Sequence, residues 1–401
     1  MNRTINFLKR NERLEGFART GASLHCHTLH SKEVLDFVPY YAERIPLVAQ
    51  LWRHMQRKRA DQGIALPDFK KGFWTPPLTG EEVLESERKS LNSLGLDAFV
   101  SITDHDSINS PLELQKPEAP ISLEWTVPYE NAFFHIGVHN LPADRAKHIT
   151  VDLLDYSYAG GAPDNRRLHE LLTVLNEIDD VLVVFNHPIW DIEMIGQQHH
   201  ERAMHQFLAE FRSSLHALEI NGFRAWAENE AVIELAETTG LPLVSGGDRH
   251  CCQANVMINC TDAASFSEFV SQVRYDRHSR IAILPEYRVP LPSRQLRSIA
   301  HVLRTYDHFP EGRRQWTDRV FIGYAHTDEL KTLTQLWDGR RPAWTLLLFA
   351  ALNVLSHPLT EPLISLTVGD TDIGRDDKLI PGSGYGFPNS SVAESGLGAI
   401  S

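Results

Sequence analysis

The sequence predicts an α/β fold built on a parallel sheet, either closed or doubly wound. Short apolar runs recur along residues 21–285, and runs of this length are typical of strands buried on both faces. Helical patterns alternate with these runs, as expected where helices connect parallel strands. The chain of 401 residues is long enough for one large domain with an appendage. A domain of about 300 residues can bury a core that needs no disulfide.

The clearest helix begins at Thr79. Glu82 stands three residues further on, which is the spacing of a capping box, and an apolar stripe follows until Gly95 ends the helix. The chain then enters a strand predicted over 98–102. The same order of helix and strand is predicted three more times, over 167–178 into 181–185, 201–213 into 215–220, and 228–239 into 243–245.

Four segments of different character are predicted along the chain. Residues 1–20 form a polar lead-in and 21–285 hold the alternating units. Residues 286–379 form a mainly helical extension, and 380–401, rich in Gly and Ser, form a flexible tail.

Two further segments are predicted from local composition. Residues 33–79 form an insertion, with a helix over 48–59 and a loop over 63–80 that is marked by Pro and Gly. The longest apolar run, over 343–355, is shorter than the ~20 residues that span a bilayer. It is therefore predicted to be a buried helix, and no membrane partner is expected.

Composition narrows the classes of function. The formal net charge of −13 disfavours a protein that binds duplex nucleic acid through a basic surface. Four cysteines without a CxxC pair, and no apolar signal sequence, predict a cytoplasmic protein. Two basic runs are either solvated helix faces or the rim of a site for an anionic substrate. They comprise Arg53, Arg57, Lys58, Arg59, Lys70 and Lys71, and Arg274, Arg277, Arg280, Arg288, Arg294, Arg297, Arg304, Arg313, Arg314 and Arg319.

Residues of metal-binding type stand at five of the apolar runs. The carboxyl ends of barrel strands meet at one face, where the active sites of such folds lie. Side chains at these ends can therefore converge, which predicts a metal-dependent enzyme. The five stretches are His25-Cys26-His27, Thr103-Asp104-His105-Asp106, Asn186-His187-Pro188, Glu219-Ile220-Asn221 and Gly247-Asp248-Arg249-His250.

The spacing within these stretches supports chelation. His25 and His27 are two residues apart, so on an extended strand they point the same way and can bind one ion. Asp248 and His250 repeat this spacing. By the same alternation Arg249 is expected to point away from the ligands.

The order of the motifs resembles that of the polymerase-and-histidinol-phosphatase (PHP) family of metal-dependent phosphoesterases. The likeness covers 21–285 and consists of HxH, TDHD, a Glu followed by His eleven residues later, NHP, EIN and GDxH. It implies a distorted (β/α)7 TIM-like barrel, with a helical insertion and a C-terminal helical extension. It also implies a set of metal ligands, which are His25, His27, His105, Glu124, His135, His187, Asp248 and His250.

One position departs from the family pattern. The family places an aspartate after its first motif, where this chain has Lys32, and Glu33 could take that place only with a change of register. Two divalent ions are therefore predicted, and a third is left open. The insertion over 33–79 and the extension over 286–379 have no counterpart in minimal family members. Substrate selection is predicted to lie there.

Mixed imidazole and carboxylate ligands suit Mn, Fe or Zn. The resemblance predicts hydrolysis of a phosphate ester by a hydroxide that bridges two ions, with Glu124, His105 and Asp248 as the catalytic residues. The expected substrate is a small phosphorylated metabolite, a nucleotide or a short oligonucleotide. Two alternatives remain, an amidohydrolase-like metal-dependent hydrolase and a non-catalytic metal-binding module of the PHP type.

The remaining polar residues near the motifs are given lesser roles. His30 and His139 are the nearest candidates for protonating a leaving group, although both are predicted to be surface histidines. Cys26, Cys251 and Cys252 are not placed in the metal site, because buried free cysteines commonly serve as small apolar side chains.

Overall fold

The computed structural model describes residues 2–44, 46–61, 63, 66–192, 194–324 and 329–360. The flexible tail predicted over 380–401, and the end of the extension over 361–379, lie outside the described residues. The strands are β1 (Asn2–Phe7), β2 (Thr20–Cys26), β3 (Glu33–Val34), β4 (Pro67–Trp74), β5 (Asp97–Ile102), β6 (Leu123–Tyr129), β7 (Ala132–His139), β8 (Leu182–Phe185), β9 (Ala217–Asn221), β10 (Leu243–Arg249), β11 (Met257–Thr261), β12 (His278–Ile283), β13 (Val320–Tyr324) and β14 (Leu330–Thr332). The helices are α1 (Phe37–Arg44), α2 (Pro46–Asp61), α3 (Gly80–Ser93), α4 (Asn109–Leu114), α5 (Ala146–Ser157), α6 (Asn165–Asn176), α7 (Gln197–Phe211), α8 (Trp226–Thr239), α9 (Phe266–Arg274), α10 (Leu291–Val302), α11 (Leu333–Leu336) and α12 (Trp344–Leu355).

A ten-stranded mixed sheet forms the centre of the fold. Its strands follow the order β1-β12-β11-β2-β10-β9-β8-β7-β6, and β5 pairs with β2 outside this path. The pairs of β2 with β5, β2 with β10, β10 with β9, and β9 with β8 are parallel. The predicted helix-to-strand units α3–β5, α6–β8, α7–β9 and α8–β10 are present. The mixed α/β class is therefore confirmed.

The closed barrel is not confirmed. Among the described residues the strand ladder stays open, because β5 and β6 are joined only by an isolated parallel bridge between His105 and Glu124. The bridge is flanked by one backbone hydrogen bond in each direction, Glu124 N to Asp104 O at 3.3 Å and Asp106 N to Glu124 O at 2.9 Å.

A second sheet joins the insertion to the C-terminal extension. Its four strands lie in the order β14-β13-β4-β3. The prediction of a loop over 63–80 is therefore wrong for β4, and the mainly helical extension also contains β13 and β14. The reason is that β4 has a Pro, a Gly and two lysines in place of an alternating pattern. Its main partner, β13, is remote in sequence, so local signals do not reveal the pairing.

The N-terminal segment is part of the central sheet. Within the lead-in predicted over 1–20, β1 pairs in parallel with β12, and Ile5 and Leu8 are each 1% exposed. Further along, the predicted capping box of α3 is confirmed. Glu82 N donates to Thr79 Oγ1 at 3.3 Å, and Thr79 N donates to Glu82 Oε2 at 2.8 Å.

The apolar run over 343–355 forms helix α12, but the prediction that this helix is buried is wrong. Leu347 is 75% exposed and Leu346 is 68% exposed, whereas Leu352 is buried. The helix packs against α10, and its Phe349 contacts Trp316, while other apolar side chains of the helix face outward. No helix among the described residues combines the length and apolar character needed to cross a membrane.

Candidate metal centre

A cluster of imidazoles and carboxylates lies where the carboxyl ends of β2, β5, β8 and β10 meet β6 and β7. It brings together all eight residues that the sequence singled out as ligands, although their role in binding metal stays a prediction. Within each of four overlapping sets, one candidate ligand atom per residue lies within 4.8 Å of the others. The sets are His25, His27 and Asp248; His25, Glu124 and His187; His105, Glu124 and His135; and His27, Glu33, His105 and His250.

Glu124 stands at the centre of this cluster. It is the second residue of β6 and is fully buried. Both carboxylate oxygens face imidazoles, and Oε1 also accepts a hydrogen bond from Asn186 Nδ2 at 2.9 Å. The oxygen-to-nitrogen distances are 3.0 Å to His25, 3.4 Å to His27, 3.3 Å to His105, 3.2 Å to His135 and 3.3 Å to His187.

Glu33 occupies the place that the sequence left open. Strand β3 pairs with β4 and brings the Glu33 carboxylate to within 3.3 Å of His105 Nε2 and 3.1 Å of His250 Nε2. Ser31 Oγ donates to Glu33 Oε1 at 2.6 Å and fixes its orientation. Lys32 is exposed. The Glu33 carboxylate therefore joins His27, His105 and His250 in a further candidate ligand set, next to the position where the resemblance leads one to expect an aspartate.

Arg224 is a cation beside the cluster that sequence reasoning missed. Its Nη2 donates to Asp248 Oδ2 at 2.9 Å, while Asp248 Oδ1 lies 3.6 Å from His27 Nε2. The guanidinium carbon lies 3.3 Å from the ring centroid of Trp190, so the two planar groups are in close contact. Arg224 Nε is buried and has no hydrogen-bond partner among the described residues. No motif in the sequence marks this arginine.

The buried carboxylates are held in their ionised form. Burial by itself would raise the pKa of Glu124, but the charges of His25, His135 and His105 outweigh it and hold the pKa well below the usual range. The pKa values of Glu33 and Asp248 are lowered in the same way, against burial, by the neighbouring imidazoles. Interaction with the imidazoles therefore keeps the three carboxylates ionised in spite of their burial.

The imidazoles divide into two groups. Burial lowers the pKa of His27 to about 3, and the charge of His250 acts in the same direction. Burial also lowers the pKa of His187. For His105 burial is outweighed by the charges of Glu33 and Glu124, which raise the pKa to about 10. His105 therefore holds a proton at neutral pH. Because metal ligands must be deprotonated, binding of an ion to His105 would release that proton.

These donors fit divalent cations. His27 Nε2 and His135 Nδ1 are buried, and neither makes a hydrogen bond to a described residue. Buried polar atoms are rarely left without a partner, and an orphaned ring nitrogen beside an ionised carboxylate is suited to a metal ion. The donor set of nitrogen and oxygen suits Mn, Fe or Zn and does not decide among them.

The backbone is bent at three of the predicted ligands. His25, His187 and Asp248 have positive φ angles of 65°, 27° and 47°. Strands β2 and β10 both change register at these bends, between Ser23 and Cys26 in one and between Gly246 and Arg249 in the other. Such conformations cost about 1–3 kcal/mol each and concentrate at functional sites.

The Glu219 carboxylate holds two of the candidate ligands, His25 and His187. Glu219 Oε1 lies 2.6 Å from His25 Nδ1, and Glu219 Oε2 accepts from the backbone N of His187 at 2.9 Å. A Cβ at Gly246 would lie 1.6 Å from Glu219 Oε1, so only glycine fits beside this carboxylate. Asp104 accepts from Thr28 Oγ1 at 2.7 Å. The EIN motif therefore supplies a residue that holds ligands, a role the sequence did not assign to it.

Comparison with known proteins gives only distant likenesses. No protein-family model matches the chain, and no curated protein matches it. The solved structure of PsfC from Pseudomonas syringae is 16% identical, with a TM-score of 0.39, over 67% of this chain and 93% of PsfC. A Bifidobacterium adolescentis protein, described provisionally as a metal-dependent phosphoesterase, is 14% identical, with a TM-score of 0.32, over 63% of this chain and 95% of its own. TM-scores this low do not establish a shared fold.

His139 and His30 lie in different surroundings. The prediction that His139 is a surface histidine is wrong, because it is 1% exposed and its Nδ1 lies 2.7 Å from Ser101 Oγ. Burial, aided by the charge of His25, lowers its pKa to about 3. His30 Nε2 lies 3.0 Å from Glu113 at the edge of the cluster. His30 is therefore the better placed of the two for contact with solvent.

Several arginines of the predicted basic runs hold the fold. Arg274 donates to the backbone carbonyls of Asn176 and Val181, and Arg294 donates to that of Val289. Arg319 is buried and donates to the carbonyl of Val302.

Arg249 points away from the cluster, as strand alternation predicts, and pairs with buried Glu87.

Proposed function

We propose that this chain is a metal-dependent phosphoesterase of the PHP type. The observation that supports the proposal is the position of Glu124, whose two oxygens face five imidazoles. A carboxylate so placed can contact two ions at once, as in two-metal hydrolases. The set of Glu33, His27, His105 and His250 provides ligands for a third ion.

One side of the cluster gives access to a substrate. The side chains of His250, His105 and His135 are 17%, 15% and 12% exposed, whereas His27 and Glu124 are fully buried. Arg224, at 12%, is also reachable from solvent. We infer that the substrate enters on this side, with its reacting group against His105, His250 and Arg224.

The ligands divide the chemical roles among them. Divalent ions held by the four sets would supply Lewis acidity, activation of water near neutral pH and neutralisation of phosphate charge. Glu124, His105 and Asp248 orient the reacting groups, and Glu219 fixes the ring of His25. Arg224 presents a planar cation beside Asp248, suited to an oxygen of a phosphate group.

The same arrangement leads us to propose that the central strands form a distorted barrel. The cluster draws its side chains from the carboxyl ends of β2, β8 and β10 and from β6, β7 and the turn after β5. The His105–Glu124 bridge would be its seam. A cup of this kind is where active sites of barrel enzymes lie.

We propose an anionic phosphorylated small molecule or a short oligonucleotide as the substrate class. The amidohydrolase alternative is less well supported, because among the described residues Glu33, Glu124 and Asp248 pair with histidines and Arg224, and none of these pairs involves a lysine that could be carbamylated to bridge two ions. A non-catalytic module would be expected to lack ligands, and here only the position of Lys32 departs from the family pattern, with the Glu33 carboxylate beside it.

The proposal is tested with protein loaded with Mn²⁺ and a panel of phosphomonoesters, phosphodiesters and amides. We expect ester hydrolysis that is lost on chelation and restored by Mn²⁺. His105→Ala should lower the rate by at least about 100-fold, because it removes a ligand shared by two sets. His148→Ala is the matched control, since that side chain is 85% exposed on α5.

Three outcomes would contradict the proposal. Turnover of amides alone would favour the amidohydrolase alternative, and absence of turnover with metal bound would favour the non-catalytic module. Ester hydrolysis that survives both chelation and His105→Ala would show that the cluster is not the active site.

A further inference from the structure

A second group of metal-binding side chains lies outside the cluster described above. Cys251 and Cys252 follow β10, and His301 is near the end of α10. Their sulfur and nitrogen atoms all lie within 4.8 Å of one another. None of the three belongs to the four sets of the metal centre. The group joins the segment that carries His250 to a helix of the C-terminal extension.

The distance between the sulfurs suits a shared metal ion. Cys251 Sγ and Cys252 Sγ are 3.6 Å apart. A disulfide requires ~2.0 Å. Two sulfurs bound to one tetrahedral zinc ion with bonds of ~2.3 Å are separated by ~3.8 Å. The thiols therefore already stand at nearly the separation that zinc imposes.

The imidazole provides an independent observation. His301 Nδ1 is shielded from solvent and makes no hydrogen bond to a described residue. The backbone around it is fixed, because Tyr306 Oη donates to the His301 carbonyl at 2.9 Å. The same hydroxyl oxygen lies 3.5 Å from Cys251 Sγ and 3.2 Å from Cys252 Sγ. One aromatic residue thus positions all three candidate ligands.

The charge of the two thiolates and the exposure of Cys252 also suit a bound zinc ion. Two thiolates and one Zn²⁺ sum to zero net charge, which limits the cost of burial beside Cys251. Cys252 is exposed, so an ion can enter from solvent and a water molecule can complete its coordination. Thiolate ligands favour Zn²⁺ over the harder Mn²⁺.

We propose that Cys251, Cys252 and His301 form a zinc site, separate from the metal centre, that fastens α10 to the segment after β10. On binding, the two thiols lose their protons to solvent and two sulfur–zinc bonds and one nitrogen–zinc bond form. The site stabilises the segment that carries His250. It does not depend on the proposed phosphoesterase activity.

Cobalt substitution tests this proposal. The full chain is kept reduced, loaded with Mn²⁺ and titrated with Co²⁺, whose thiolate complexes show a charge-transfer band in the near ultraviolet. We expect one equivalent of Co²⁺ to produce this band and Zn²⁺ to bleach it. The metal centre contains nitrogen and oxygen donors only, so cobalt bound there cannot produce it.

Variants assign the band to particular residues. Cys252→Ser and His301→Gln should each weaken Co²⁺ binding at this site by at least about tenfold. Cys260→Ser is the control, because Cys260 is a buried thiol on β11 that belongs to no candidate metal set. Failure of the wild-type protein to develop the band would overturn the proposal, as would an unchanged titration in both variants. Because Cys252 is exposed, its replacement should leave folding intact, which circular dichroism verifies.

Discussion

At the scale of single residues, the position of Glu124 organises the centre. Five imidazoles approach its two oxygens, and three of them, His25, His27 and His105, also contact a second carboxylate, which is Glu219, Asp248 or Glu33. Such overlap makes the ligands interdependent, so replacing one residue is expected to disturb more than one ion. The contribution of each ligand is therefore best separated by counting the bound metal ions as well as by measuring the rate of hydrolysis.

Glu33 is expected to determine whether a third ion binds. In Glu33→Gln the set with His27, His105 and His250 loses its only carboxylate. Elemental analysis after gel filtration should find about one ion fewer per chain than in the wild type. Lys32→Ala is the matched control, since Lys32 is exposed. Equal metal content in Glu33→Gln and the wild type would show that Glu33 is not a ligand.

Arg224 is expected to bind the phosphate group. Arg224→Ala should lower kcat/KM for a phosphate ester by about 10- to 100-fold, the effect of losing a charge-assisted hydrogen bond of ~1.5–3 kcal/mol. Arg224→Lys should not restore the rate, because an ammonium cannot reproduce the planar contact with Trp190.

The inhibition constant of inorganic phosphate gives a second measurement of Arg224, and it should rise in both variants. Arg202→Ala, on the exposed side of α7, serves as the control. If phosphate inhibits Arg224→Ala as strongly as the wild type, the arginine has only a structural role beside Asp248.

At the scale of elements, the bends in β2 and β10, more than their regular parts, place the candidate ligands. A regular strand would send His25 and His27 to the same side, but the left-handed φ of 65° at His25 and the register shift turn the chain. His25 Nε2 and His27 Nε2 nevertheless both reach Glu124 Oε2. The i, i+2 spacing therefore predicted that the two rings converge, through a simpler geometry than the one observed.

The contribution of helix α3 to stability can be tested at its N-terminal cap. Thr79→Ala removes the acceptor for Glu82 N and should lower the free energy of unfolding by about 0.5–2 kcal/mol. Denaturant titration measures the change, and Ser93→Ala at the exposed end of the same helix is the control. A change no larger than that of Ser93→Ala would mean that the cap contributes nothing measurable.

At the scale of the whole molecule, buried neutral histidines couple folding to pH. His216 accepts from Val183 N at 2.9 Å and contacts Asn176 Oδ1 at 2.8 Å. Burial, aided by the charge of Arg274, lowers its pKa from 6.5 to about 3. The unfolded chain therefore binds one more proton than the folded chain between these values. The stability that His216 contributes is complete above pH 6.5 and is lost as the pH falls toward 3.

His216→Gln should reduce this loss. One proton corresponds to about 1.4 kcal/mol per pH unit, so the slope of unfolding free energy between pH 6 and 4 should become shallower by about that amount. Urea titrations at several pH values measure the slope, and His148→Gln, at an exposed position, should leave it unchanged. An unaltered slope in His216→Gln would mean that His216 is protonated in the folded protein.

Several features could be read from the sequence because their causes are local. The Thr79–Glu82 cap and the alternation of helices with apolar runs depend on neighbouring residues, and the structure confirms both. The eight predicted ligands lie together because the carboxyl ends of β2, β5, β8 and β10 meet beside β6 and β7, which carry Glu124 and His135.

Other features were decided only by tertiary structure, because they depend on partners remote in the chain. Pairing of β4 with β3 brings Glu33 to His250, and pairing of β4 with β13 joins the insertion to the extension. Arg224, which follows β9, meets Asp248 on β10 and Trp190 in the segment after β8. The sequence by itself determined which residue types follow the buried strands, because those positions depend on local patterns. The tertiary structure decided how many sets they form and what surrounds them, because those contacts arise only once distant segments pack together.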